Sequence, residues 1–246
     1  MKGRGAAIES LVVRIVGLVR KHEATGRWGF ACLATLAVVA WPSGVPAATV
    51  VRGSPSSVLS AGLIVQRDVP SGWTSTTAQK NPALLLINGI GPCASTRAAL
   101  SAANRAARRA FSRKFVAPDQ IGAAQDMVFV GQNDRATQSF ADAYDGPQGR
   151  ACVQAVAASV AKHAAGTAVV TPLTDVAGAG DHGFGYEFQI TAPNNGALVT
   201  GVYDLVVVRV GRAVAGFQFQ NVIQGLPARL SIVNAVATRL RAVAAG

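Results

Sequence analysis

The chain has 246 residues, half of them hydrophobic and only 14% charged, with a formal net charge of +11. Such a chain buries a core and, once an export leader is set aside, fits one domain. The positive balance does not read as nucleic-acid binding, because no recognition module is visible and the basic run lacks interleaved aromatics.

The first 47 residues read as a cleavable export signal. Lys2, Arg4, Arg14, Arg20, Lys21 and Arg27 form a basic stretch, followed by the apolar run Phe30–Trp41. At ~1.5 Å per residue that run is too short for a ~30 Å hydrocarbon core. Pro42, Gly44 and Pro46 then break it, and Val45-Pro46-Ala47 supplies small residues for a peptidase. The competing reading is an uncleaved anchor over residues 8–41. Cys32 opens its apolar run and does not close it, which argues against lipidation. Six of the 23 basic and two of the 12 acidic residues precede residue 49, which leaves +7 for the exported part. The expected site of action is therefore extracytoplasmic, at the cell envelope or in the medium.

Removal of Cys32 leaves Cys93 and Cys152. In an oxidising compartment an even pair reads as one disulfide. The rival reading, a redox or metal-binding pair, is weaker: redox cysteines usually lie two residues apart, and zinc needs four ligands. No metal or other cofactor is expected.

Residues 48–55 read as a short tether and 56–246 as a single α+β domain. Ser56 and Ser57 are the expected caps of a helix carrying Val58, Leu59, Leu63 and Ile64. Asp68-Val-Pro-Ser-Gly-Trp73 punctuates the chain, and Thr74–Pro82 reads as polar loop. Ala83–Ile87 is a short apolar segment. From Cys93 to Ala110 the chain is Ala-rich, either helix or loop, leading to a strand over Phe111–Val116. Gln125–Gly131 is a strand. A helix capped at Asp134 or the residue before it runs through Ala143, Gly146-Pro147 breaks it, and a second helix spans Gln148–His163 with Cys152, Val153, Val156 and Val160 on one stripe. Ala168–Pro172 is a strand. Phe184–Thr191 alternates Phe184, Tyr186, Phe188 and Ile190 with polar or small residues, the period of a strand. Pro193-Asn-Asn-Gly196 is a hairpin turn, Leu198–Val210 a long strand, Gly211-Arg212 a tight connection, and Ala213–Asn221 the last strand. Pro227 opens a closing helix with Leu230, Val233, Val236, Ala237 and Leu240 inward and Arg229, Arg239 and Arg241 outward. This order predicts an antiparallel sheet with helices packed on one side and one disulfide.

Few residues point to chemistry. Asp181-His182 lies in a glycine loop, and a His/Asp/Ser hydrolase built on it would need a distant serine, yet no Gly-x-Ser-x-Gly elbow is present. His163 suits a helix C-terminus. Glu187 is the only glutamate after the leader and reads as part of a solvated strand face. Gly178-Ala-Gly180 precedes a strand, so it lacks the helix terminus of a phosphate cradle. Trp73 reads either as a core plug or as part of a ligand-facing rim. Arg105, Arg108, Arg109, Arg113 and Lys114 fall within ten positions, suited to an anionic surface or to a solvated face.

Four features together resemble the actinobacterial exported sensor-type domains, found as extracellular modules of mycobacterial serine/threonine kinases and as secreted proteins or lipoproteins. They are the export signal, Asp68-Val-Pro-Ser-Gly-Trp73, two cysteines bracketing a strand–helix unit, and Asp204-Leu-Val-Val-Val-Arg-Val-Gly211 followed by a strand and an amphipathic helix. The Ala/Val-rich composition accords with such a source. The resemblance spans roughly residues 56–243. It implies a disulfide-stabilised antiparallel sheet with a ligand cleft, Cys93–Cys152 matching one of the family's bridges, and no catalytic residues. The chain departs from the pattern in lacking a kinase domain and a lipobox. The leading expectation is a secreted, non-enzymatic, sensor-like binding module for an anionic envelope component or a small amphipathic ligand. A secreted hydrolase and a structural envelope protein without a small ligand are the alternatives.

Overall fold

The computed structural model describes residues 54–77, 91–98, 101, 108–221 and 228–245. The leader, most of the tether, Ala83–Ile87, Arg105 and Pro227 lie outside the described residues.

In chain order the elements are α1 (Pro55–Gly62), β1 (Thr74–Thr76), β2 (Arg108–Phe111), β3 (Lys114–Val116), β4 (Ala123–Val130), α2 (Asp134–Asp145), α3 (Pro147–His163), β5 (Thr167–Pro172), β6 (His182–Asn194), β7 (Ala197–Val210), β8 (Ala213–Asn221) and α4 (Arg229–Ala245). The strands form one sheet in the order β1-β3-β4-β8-β7-β6-β5, with β2 also on β4, and every pairing is antiparallel. The α+β class, the antiparallel sheet and the Cys93–Cys152 disulfide are all as read from the sequence.

The layering differs from that reading. Helices cover both faces of the sheet. Ala124, Val128 and Val130 of β4 pack with Val58, Val233 and Leu240 of α1 and α4, whereas Phe129 of the same strand packs with Phe140, Tyr144 and Val153 of α2 and α3. Successive strand residues point to opposite faces. A strand apolar at both parities, as β4 is, therefore needs a cover on each side. On β8, Phe217 and Phe219 stack beneath α4 with ring centroids 6.0 Å apart, while Val214 faces α2 and α3.

Several local details follow from side-chain chemistry. The cap of α1 is Ser54, whose Oγ accepts the Ser57 N–H at 3.2 Å, and not Ser56 or Ser57, because Pro55 occupies the first helical turn. Thr74–Thr76, expected as loop, adds an edge strand to β3. The Phe111–Val116 strand is split by a bulge at Ser112-Arg113, so that β2 and β3 take up the two halves of one edge of β4. Asn195 and Gly196 both have positive φ (52° and 81°), which identifies the expected β6–β7 hairpin turn as type I′. In α4 the inward row is Ile232, Val233, Val236, Ala237 and Leu240; Leu230 is 36% exposed, since Ile232 occupies the inward position of that first turn.

Candidate functional site

The basic run lands on the bulged edge. Arg108 and Arg109 stand opposite Val130 and Phe129 of β4, and they alternate faces. Arg113 sits in the bulge, which Ser112 ties to β4: the Ser112 N–H donates to the Asp126 carbonyl, and the Ser112 Oγ accepts the Asp126 N–H at 2.9 Å. All three arginines are exposed, and among the described residues none forms an ion pair with a carboxylate. Lys114 is half-buried beside them, and burial draws its amine below the ordinary lysine value. Trp73 is only 8% exposed and belongs to the core beneath α1 and α4, with its carbonyl accepting from Gln66 Nε2. That is the core-plug reading.

A second polar group forms where α2 meets α3. His182 opens β6, and its Nε2 lies 3.2 Å from Asp145 Oδ2 without the geometry of a hydrogen bond. Arg150 approaches the same carboxylate at 3.9 Å. The corner is held from below: Tyr186 Oη donates to the Tyr144 carbonyl at 2.9 Å, and burial, aided by the Asp145 charge, keeps the Tyr186 phenol above its ordinary value. Gly149 makes the turn feasible, because a Cβ there would lie 2.2 Å from the Tyr144 carbonyl oxygen. Arg209 stands directly across from His182 on β7. The sequence-adjacent Asp181 is engaged elsewhere, accepting the Gly211 N–H at 2.7 Å. Among the described residues no serine hydroxyl bonds to His182, so the constellation holds a carboxylate-flanked imidazole without a paired nucleophile.

Cys93 and Cys152, both buried, join the segment 91–98 to α3, and Thr96 Oγ1 donates to the Ala143 carbonyl at 3.2 Å. The bridge thus sits in the same core as Tyr144 and Tyr186 and braces the corner from within. Among the described residues no three His, Cys, Asp or Glu side chains gather to hold a metal, and no helix is long and apolar enough to cross a membrane. His163 Nδ1 lies 2.7 Å from the Ser159 carbonyl at the exposed end of α3.

Sequence reasoning missed Asp145, Arg150 and Asp126. The first two flank Gly146-Pro147, and charges bracketing a helix break are a usable sign of a polar corner. Asp126 is a carboxylate inside a strand that is apolar apart from its neighbour Gln125, Ala-Ala-Gln-Asp-Met-Val-Phe-Val, and that mismatch is its signal. Glu187, read as solvated, accepts from Gln189 Nε2 at 2.8 Å and faces Asp204 across the strands.

This chain matches no protein-family model, no curated protein and no solved structure.

Proposed function

We propose that the domain is a secreted, non-enzymatic, sensor-like binding module that engages an anionic component of the cell envelope through the β2–β3 edge. The observation that carries this reading is the trio Arg108, Arg109 and Arg113, exposed on one bulged edge strand and answered by no described carboxylate. By contrast, Arg150 is paired with Asp145, Arg229 with both Asp175 and Asp204, and Arg239 with Asp68, while Arg67, Arg135 and Lys162, also exposed and without a carboxylate partner among the described residues, do not fall in one run. Unpaired guanidiniums are suited to phosphate or carboxylate oxygens, which they meet two at a time. Their position on an edge also blocks strand-to-strand association with a second chain.

Each basic residue near an anionic surface contributes about 1 kcal/mol. Replacing all three with alanine is therefore expected to weaken retention on anionic supports at low salt by about 100-fold. Two supports distinguish the source of the anion: vesicles containing an anionic lipid, and a phosphate-bearing wall polymer. Arg→Lys replacements at the three positions should preserve most of the retention. Undiminished retention of the alanine variant on both supports would remove the reading.

A further inference from the structure

The Asp126 carboxylate takes no part in the anion-binding reading of the β2–β3 edge. It lies on the α1/α4 face of β4, 2% exposed, opposite Phe217 and between Ala124 and Val128. Its Oδ1 accepts the Ile64 N–H at 3.0 Å, just beyond the end of α1, and its Oδ2 has no hydrogen-bond partner. The end of α1 presses on the same strand: a Cβ at Gly62 would lie 2.7 Å from Val128 Cγ2. The groups that face the carboxyl are few. They are Ser112 from the β2–β3 bulge, Asp68 from the 3-10 turn at Gln66–Asp68, and Arg239 from α4. Arg239 does not neutralise Asp126, because both of its terminal nitrogens are spent on Asp68 at 2.6 and 2.7 Å.

A buried carboxylate with one bare oxygen is tolerated when protonated and costly when ionised. The cheapest escape for an ionised Asp126 is local. Lifting the segment from α1 to Ile64 admits water to the carboxylate while β4, β7 and β8 keep their ladders. We propose that Asp126 is a proton-dependent latch, holding α1 and the residues through Ile64 against the sheet when neutral and releasing them when charged. Burial raises the Asp126 carboxyl to about 7, against the Ile64 hydrogen bond, the neighbouring Ser112 hydroxyl and the Arg239 charge that act to lower it. The device would thus operate near neutrality. The latch does not rest on the anion-binding reading, and its test is separate from it.

Hydrogen exchange of the protein, corrected for the intrinsic pH dependence of amide exchange, tests the latch. Between about pH 5.5 and pH 8.5 the amides of residues 58–64 should lose at least tenfold in protection, with those of β7 and β8 changing less. In Asp126→Asn the protection of 58–64 should be independent of pH. Three results overturn the proposal: flat protection in the unmodified protein, an equal loss in β7 and β8, or a pH response that survives in the Asn variant. The unmodified protein alone decides the first two should the variant fail to fold.

Discussion

Arg239 satisfies three needs with one guanidinium. Its Nε donates to the Ala61 carbonyl, Nη2 donates to the Leu63 carbonyl, and the two terminal nitrogens grip Asp68, whose side chain is 3% exposed. Carbonyls at the end of α1 that lack a helical partner are thereby capped from another helix. Arg239→Ala should leave a buried carboxylate without its counter-ion and destabilise the protein by about 3–5 kcal/mol in urea denaturation. Arg239→Lys should recover only part of that, because an ammonium does not reproduce the two-pronged contact. At Asp126 the sign is opposite to that of an ordinary paired carboxylate. Its folded value, near 7, lies above the unfolded one, so the folded state holds the extra proton between about pH 4 and 7. Stability from this group is complete below pH 4 and is lost as pH rises through 7. Asp126→Asn should accordingly be more stable than the parent at pH 8 and less dependent on pH, as urea midpoints at several pH values would report. Neither role was legible in the sequence. The period of α4 places Arg239 on its polar side, and only the fold brings Asp68 there, 171 positions earlier in the chain.

The elements divide according to how local their causes are. The β6–β7 hairpin was legible because Asn195-Gly196 meets the positive-φ demand of a type I′ turn, and the alternation in β6 sets its register. The helix break at Gly146-Pro147 was legible for a different local reason, proline's fixed negative φ and missing donor. The β2–β3 edge was not. The bulge depends on Ser112 bonding to Asp126, a partner 14 positions away, and nothing in Ala-Phe-Ser-Arg-Lys-Phe marks it. The disulfide was legible by counting cysteines, though its use as a brace for the α2–α3 corner depends on Thr96 and Ala143 as well. In the chain-entropy picture, a bridge spanning 59 positions contributes on the order of 4 kcal/mol. Cys93→Ser with Cys152→Ser should lower stability by up to that amount. It should also increase exchange in 91–98 and at the start of α3 before it affects β7 and β8.

At the scale of the molecule, one sheet is shared by two cores. The α1/α4 side carries the aliphatic core with Phe217 and Phe219, and the α2/α3 side carries the aromatic one, in which Phe129 and Phe140 meet at 4.3 Å. Composition predicted the burial but not its division, since an apolar residue does not say which side of a sheet it serves until the strand's register is known. Charge divides as well. Ion pairs and carbonyl contacts draw Arg229, Arg239 and Arg241 onto the fold, whereas Arg108, Arg109 and Arg113 stand exposed within one six-residue stretch without a carboxylate partner among the described residues. If these residues act by charge, salt must weaken the interaction, because the screening length shrinks from about 30 Å at 0.01 M to about 8 Å at 0.15 M. The direct measurement is sedimentation of the protein with anionic and with zwitterionic vesicles across that salt range. Retention on the anionic vesicles at low salt, falling steeply as salt rises, with none on the zwitterionic ones, is the expected result. Equal retention on both, or retention indifferent to salt, would contradict it.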